Sequence, residues 1–290
     1  MRLTLFGTRG SVPAPGPETA RYGGNTPSVE VRGRDGTLLV LDAGTGIRRL
    51  GAQMPPGIAR VDILLTHLHM DHIQGLGFFG PLYHPGIEVN IWGPPSCRLP
   101  LETRLSRYLS PPLFPVHLRD LPRVVCHEVP AAPFALGPFR IRTALVCHPN
   151  PTVGYRLEED GRSAVYLPDH EPALCLEDGR WLAPEWTSGY DLAAGADLLI
   201  HDAQFTDTEY ARCVGWGHST YRHALEFADH VGAKEIVLFH HDPAHDDLML
   251  ERLLADALHR FKPTFRVSAG CEGAVFELGA CEAPPSRAAR

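Results

Sequence analysis

Residues Val61–Leu76 read VDILLTHLHMDHIQGL. Val61 to Leu65 is a short apolar run closed by Thr66, the signature of a buried strand. Just beyond it stand four ligand-type residues within six positions: His67, His69, Asp71 and His72. Side chains alternate along an extended chain, so His67 and His69 point to the same side. The chain then turns into IQGLGFF, which lets Asp71 and His72 project toward a second point close by. Three imidazoles and one carboxylate form a nitrogen and oxygen donor set suited to zinc, with manganese or iron as alternatives. The competing reading, a solvated loop rich in histidine, does not account for four such residues at one strand end.

Working outward, Arg2–Phe6, Ser28–Val31 and Thr37–Leu41 are further short apolar or alternating runs ended by turn residues, and they predict a strand-rich N-terminal half. Prolines crowd residues 94–138, with Arg98, Arg104, Arg107, Arg119 and Arg123 among them. An irregular segment bordering a pocket is expected there, with one helix near Leu99 to Tyr108. The C-terminal half alternates: a strand at Leu198–His201, a helix near Tyr221–Val231, a strand at Glu235–Phe239 and a helix near Asp247–Phe261. That last helix places Leu250, Leu253, Leu254, Ala257, Leu258 and Phe261 on one face, with Asp246 or Asp247 as its cap. Strands alternating with helices indicate an α/β layered architecture. The pattern predicts a single domain over residues 1–279 and a disordered Ala, Pro and Arg tail over 280–290.

Composition narrows the function. The 290 residues are 44% hydrophobic, enough for a substantial core. Met1 to Gly10 has no basic start followed by an apolar run of signal-peptide length, and no stretch approaches about 18 apolar residues, so a cytoplasmic protein without a membrane partner is expected. Seven scattered cysteines, never in a CxxC pair, argue against both a disulfide framework and a structural zinc site. The net charge of −7 would repel long nucleic acid rather than gather it.

HxHxDH behind a strand resembles the metallo-β-lactamase superfamily. The resemblance implies an α/β fold, a four-layered αββα sandwich, with two divalent metal ions at one sheet edge. It also implies a third His, a bridging Asp and a late His, for which His148 after FRIRTALVC, Asp169 in AVYLPDHE and His240 after KEIVLF stand in the right order. Carried over, His67, His69 and His148 would hold one ion, Asp71, His72 and His240 the other, and Asp169 would bridge them. His241 competes with His240, which is preferred because it directly ends the apolar strand. Asp42 in LDAGTG is read as an orienter of the metal histidines, with a turn-forming Asp as the alternative. Asn25 in RYGGNT is placed with it as a supporting or substrate-side residue.

Two more segments, ADLLIHDAQF around His201 and Asp202 and GHST around His218, resemble the ribonuclease Z and phosphodiesterase branch. There the resemblance places His218 beside the scissile phosphate, as proton donor to the leaving alkoxide or holder of a phosphoryl oxygen. A helix-initiating residue before a cap at Ser219 is the alternative. His201 and Asp202 would support it. The redox di-iron branch usually carries Glu where this chain has His69, and zinc lactamases generally lack an Asp at the position of Asp169; both departures favour hydrolysis of another bond.

The expected reaction is attack of a metal-bound hydroxide, oriented by Asp71, on the phosphorus of a small phosphodiester such as a cyclic nucleotide. Ribonuclease Z enzymes carry a long arm between the third His and the bridging Asp, whereas His148 and Asp169 are 21 positions apart here. That absence argues against tRNA. The alternatives are a lactonase or thioesterase, a ribonuclease of short RNA, and a non-enzymatic protein that binds metal and nucleotide. The opening segments also look like those of a bacterial cyclic-nucleotide phosphodiesterase-like group, whose relatives are often homodimers. Trp181, Trp186 and Tyr190, in the 170–200 segment, are read either as an aromatic lid over the site or as core anchors.

Overall fold

The computed structural model describes residues 1–279; the expected tail over 280–290 lies outside the described residues. Among the described residues sixteen strands are present: β1 (Arg2–Gly7), β2 (Ser28–Arg32), β3 (Leu38–Leu41), β4 (Arg60–Leu64), β5 (Glu88–Gly93), β6 (Val124–Glu128), β7 (Phe134–Leu136), β8 (Phe139–Leu145), β9 (Val153–Glu159), β10 (Arg162–Leu167), β11 (Leu176–Glu177), β12 (Arg180–Trp181), β13 (Leu198–Asp202), β14 (Glu235–Phe239), β15 (Arg266–Ala269) and β16 (Val275–Glu277). Two seven-stranded sheets result, ordered β16-β1-β2-β3-β4-β5-β6 and β15-β14-β13-β10-β9-β8-β7, with β11 and β12 as a separate ribbon. Within them, β3 to β6 run parallel to one another, as do β10, β13, β14 and β15.

Period-two alternation sorts each strand between two environments. Leu39, Leu41, Tyr166, Ile200, Val237 and Phe239 point inward and form the core shared by the two sheets. Their neighbours Leu38 and Val40 point outward beneath the helices α1 (Ile47–Ala52), α2 (Met70–Ile73) and α3 (Leu101–Leu105). On the other side Val165, Leu199, Ile236 and Leu238 pack beneath α4 (Tyr190–Ala193), α6 (Tyr221–His230) and α7 (Asp247–Phe261), while the one-turn α5 (Asp207–Tyr210) leads toward His218. The layers are therefore helix, sheet, sheet, helix, as the αββα expectation requires. Among the described residues no helix is long and apolar enough to cross a membrane.

Several local expectations are corrected. The helix near Leu99–Tyr108 is reduced to α3, because Pro100 precedes it and Pro111 and Pro112 follow. The N-cap of α6 is Thr220, whose hydroxyl accepts from the His223 amide; Ser219 instead donates to the carbonyl of His170 at 2.7 Å. Asp246 caps α7, and Asp247 accepts from the amides of Arg21 and Tyr22, tying the N-terminal loop to that helix. Only Leu250 of the α7 apolar face is fully buried; Leu253, Leu254, Ala257, Leu258 and Phe261 are half-buried. Trp181 stacks on His230 of α6 at 5.2 Å and Tyr190 meets the same ring edge-on, so both anchor the outer helical layer, whereas Trp186 is exposed.

Phe139 lies fully buried between the sheets. Phe139→Ala should lower stability by about 3–5 kcal/mol in denaturant unfolding followed at two probes. A loss under about 1 kcal/mol would contradict a close-packed core between the sheets.

Candidate metal centre

The site assembles at the carboxyl ends of the parallel strands, where chain turns can present side chains without interrupting ladder hydrogen bonds. Asp42 follows β3, His67 and His69 follow β4, Asp169 follows β10, Asp202 ends β13 and His240 follows β14. Asp71 and His72 lie in the single turn of α2. One ligand atom from each of His67, His69 and His148 lies within 4.8 Å of the others, and the same holds for Asp71, His72, Asp169 and His240. All seven residues expected to hold metal are thus brought together. His241, by contrast, turns away and donates to the Gly270 carbonyl at 2.9 Å, so the structure places His240, not His241, at the cluster.

Ring orientation is fixed from behind. Asp42, fully buried at φ 58°, accepts from Nδ1 of His72 at 2.8 Å, the Tyr166 hydroxyl at 3.0 Å and both the amide and the hydroxyl of Thr66. The Thr66 oxygen in turn meets Nδ1 of His67 at 3.1 Å. Nδ1 of His148 donates to the Gly217 carbonyl at 3.0 Å, and Nδ1 of His240 donates to Oε1 of Gln204 at 2.9 Å. Each bond selects the tautomer with a free Nε2, and those Nε2 atoms face the cluster. His69 differs: its Nδ1 lies 3.2 Å from Nε2 of His148, and Asn150 approaches its Nε2. Close approach at His240 also requires Gly10, since a Cβ there would stand 2.3 Å from its Nδ1.

Inside the cluster, Asp169 Oδ1 is 3.0 Å from His72 Nε2 and 3.4 Å from His240 Nε2, while its Oδ2 is 3.7 Å from His67 and 3.8 Å from His148. The carboxylate therefore faces both halves of the cluster. Nε2 of His67 and Oδ1 of Asp169 are buried without a hydrogen-bond partner among the described residues. Buried polar atoms are seldom left so, and an imidazole nitrogen and a carboxylate oxygen without partners in one cluster are the donor chemistry of a divalent cation. The residues present therefore fit a divalent metal centre.

Electrostatics agree with that fit. Burial pushes the pKa of His67, His69 and His148 down, keeping those imidazoles neutral and able to donate a lone pair. His72 goes the other way: burial opposes its charge, but Asp169, Asp71 and Asp42 outweigh burial and raise it well above the usual value. Burial likewise opposes ionisation of Asp71 and Asp169, and the surrounding imidazoles overcome it and hold both carboxyls well below their usual range.

His218 stands at the open side, stacked on His240 at 5.0 Å and 15°. Its Nδ1 donates to Oδ2 of buried Asp202 at 2.6 Å and lies 4.0 Å from Asp169. Burial opposes its charge, but Asp202 and then Asp169 and Asp71 raise its pKa to about 9. Asp202 also accepts from the amides of Gln204 and Ser219, which fixes its carboxylate.

Two expected supporting residues are not brought to the cluster. His201 is on the opposite face of β13 from Asp202 and bonds His170 at 3.0 Å against Phe227. Alternation along ADLLIHD already separates the two neighbours. Asn25 bonds both oxygens of Glu272, latching the N-terminal loop to the segment before β16. Conversely, Gln204, Glu171 and Ser11, whose amide donates to Oδ2 of Asp71 at 2.8 Å, contribute without any signal in motif or spacing.

A family model described as the β-lactamase superfamily domain matches residues 37–241. The chain is 31% identical over 264 residues to the ribonuclease Z of Mycobacterium bovis, covering 84% of this chain and 87% of that one. The chain belongs to the metallo-β-lactamase superfamily, in its ribonuclease Z and phosphodiesterase-like branch. The ribonuclease Z of Myxococcus xanthus is 28% identical over 286 residues, covering 85% and 88% of the two chains. A solved diphosphatase of the PhnP family superposes with a TM-score of 0.68 over 97% of this chain and 98% of its own, at 20% identity, a likeness of fold. Family and cluster together make this member of the superfamily a metal-dependent hydrolase.

Protons and cations compete for the same nitrogens, so metal uptake must release the proton that His72 is disposed to hold. Affinity for zinc, measured by chelator competition, should rise steadily from pH 6 to 9. A flat profile would contradict the raised basicity of His72.

Proposed function

We propose that this hydrolase is a two-metal phosphodiesterase acting on a small phosphodiester, of which a cyclic nucleotide is one example. The observation that carries the reading is His218, held by Asp202 beside a seven-residue cluster of ligands and at its open side. A thiolate leaving from a thioester has less need of a proton donor there. An alkoxide leaving from phosphorus has to be protonated.

In this reading His67, His69 and His148 would hold one divalent ion and Asp71, His72 and His240 the other, with Asp169 available to both; zinc suits the donor set, with manganese or iron as alternatives. Two such ions, when bound, neutralise the phosphate charge and lower the pKa of water. The protein supplies the remainder. Asp202 accepts a hydrogen bond from Nδ1–H of His218 and keeps that proton on the ring, so that Nε2–H of the imidazolium gives its proton to the leaving oxygen and leaves a neutral imidazole. Asp71, steadied at Oδ2 by the Ser11 amide, orients the attacking water. The buried ligands and the apolar core behind them keep bulk water from the rear of the site.

Substrate size follows from the segment between His148 and Asp169. It is folded as the β9–β10 hairpin within the second sheet, with Ala164 opposite Leu157 and Tyr166 opposite Tyr155, and it offers no projecting arm. Together with a net charge of −7, this disfavours long RNA. The ribonuclease Z relatives favour a second reading, cleavage of RNA, and the two are separable by assay.

Protein loaded with zinc or manganese should hydrolyse bis(p-nitrophenyl) phosphate and cyclic nucleotides in preference to short RNA, a tRNA precursor, lactones and thioesters. Turnover of lactones or thioesters alone would sink the phosphodiester reading, and preference for the tRNA precursor would transfer it to RNA processing. Asp71→Asn should abolish turnover and lower the metal content from two to one by elemental analysis. His218→Ala should retain two metals and lose about 10²–10⁴-fold in kcat on an alkyl phosphodiester. Full activity in that variant would show that the proton comes from elsewhere.

A further inference from the structure

Glu171 is a fully buried carboxylate, two residues beyond Asp169, to which the proposed reaction gives no task. Its partners are neutral donors. Oε1 accepts from the Tyr210 hydroxyl at 2.7 Å and the Gly215 amide at 2.8 Å, and Oε2 accepts from the Gly217 amide at 2.7 Å. A buried carboxylate is retained only where such bonds replace its water, so the donors it gathers must be held in one arrangement.

That arrangement is the loop leading into His218. Gly215 and Gly217 have φ of 86° and 90°, a region L side chains rarely adopt, so the loop has a special path that needs an anchor. The Gly217 carbonyl accepts a hydrogen bond from Nδ1–H of His148, and a Cβ on Gly217 would stand 2.2 Å from that nitrogen. On its other flank the Glu171 amide donates to the carbonyl of Cys147, the residue before His148, at 2.9 Å. One residue thus grips the chain that carries His148 and the loop that orients its ring.

We infer that Glu171 is a positioning residue: by holding the Gly215 and Gly217 amides it sets the Gly217 carbonyl that fixes the His148 ring and delivers His218 to the substrate side of the cluster. It acts through Gly217 and touches neither ion nor substrate. The part concerning His218 rests on the proposed phosphodiester reaction; the part concerning His148 does not.

Glu171→Gln keeps the size of the side chain but turns one acceptor into a donor, so either the Gly217 amide or the Tyr210 and Gly215 pair loses its partner. The expected result is about 10–100-fold weaker zinc retention in chelator competition. With two metals restored by excess zinc, kcat should fall at least about tenfold on an alkyl phosphodiester, fall less on a p-nitrophenyl ester whose leaving group needs no proton, and leave KM little changed. A folded Glu171→Gln protein with wild-type zinc retention and an unchanged ratio between the two substrates would overturn the inference, as would equal loss on both substrates with unchanged retention. Should that variant not fold, Tyr210→Phe, which removes one of three donors, should move both readouts in the same direction by about 2–3-fold; no movement in either would overturn it. If the wild-type protein turns over neither ester, the proposed reaction fails and zinc retention alone decides the role of Glu171.

Discussion

The rest of the site depends on one buried carboxylate, Asp42. It receives the Thr66 amide and hydroxyl from the loop after β4, Nδ1 of His72 from α2, and the Tyr166 hydroxyl from β10 of the opposite sheet. These bonds bridge the sandwich and set two metal-facing rings, one directly and one through Thr66. Such an anion is stable in the interior because its acceptor sites are occupied by donors. The constraint is mutual: the strands place the donors, and the carboxylate holds the ends of the strands in register with the metal cluster.

The second constraint is electrostatic. Asp71 and Asp169 are buried beside five imidazoles of the cluster, and the attraction between them outweighs desolvation. The opposing directions for His67 and His72 show how finely position divides the work: His67 is pushed toward neutrality by burial, then by His72, while three carboxylates around His72 favour a positive charge there. A site that draws positive charge at one point and keeps lone pairs free at the adjoining one is suited to divalent cations.

What the sequence disclosed is what neighbours disclose. The cluster His67, His69, Asp71 and His72 lies within six positions of chain, and the family it resembles implied the remote His148, Asp169 and His240, so the fold and the proposed ligand set were both legible. The residues that hold those ligands were not, because their partners are remote: Glu171 lies 46 residues from Gly217 and Gln204 lies 36 from His240. A lone Glu or Gln carries no spacing signal. The alternation along β13 was legible in principle, and it separates Asp202, which serves the site, from His201, which serves the helical layer. The shortened α3 shows local turn chemistry prevailing over an apolar pattern, and the half-buried face of α7 shows that amphipathic spacing reveals a face without revealing how much covers it.

The division between strand ends and loops bears on how one sandwich supports different substrates. Ligands stand at strand ends, where ladder hydrogen bonds fix the backbone and leave little room for change. His218 stands instead on a loop whose path is set by two glycines and by Glu171, and because the Gly217 carbonyl of that loop also meets Nδ1 of His148, its placement is coupled to one end of the cluster. The β9–β10 hairpin is likewise an insertion point at which an arm could be carried or omitted without altering the core. In the proposed reading, substrate choice rests with the His218 loop and the short hairpin, and the chemistry with the strand ends.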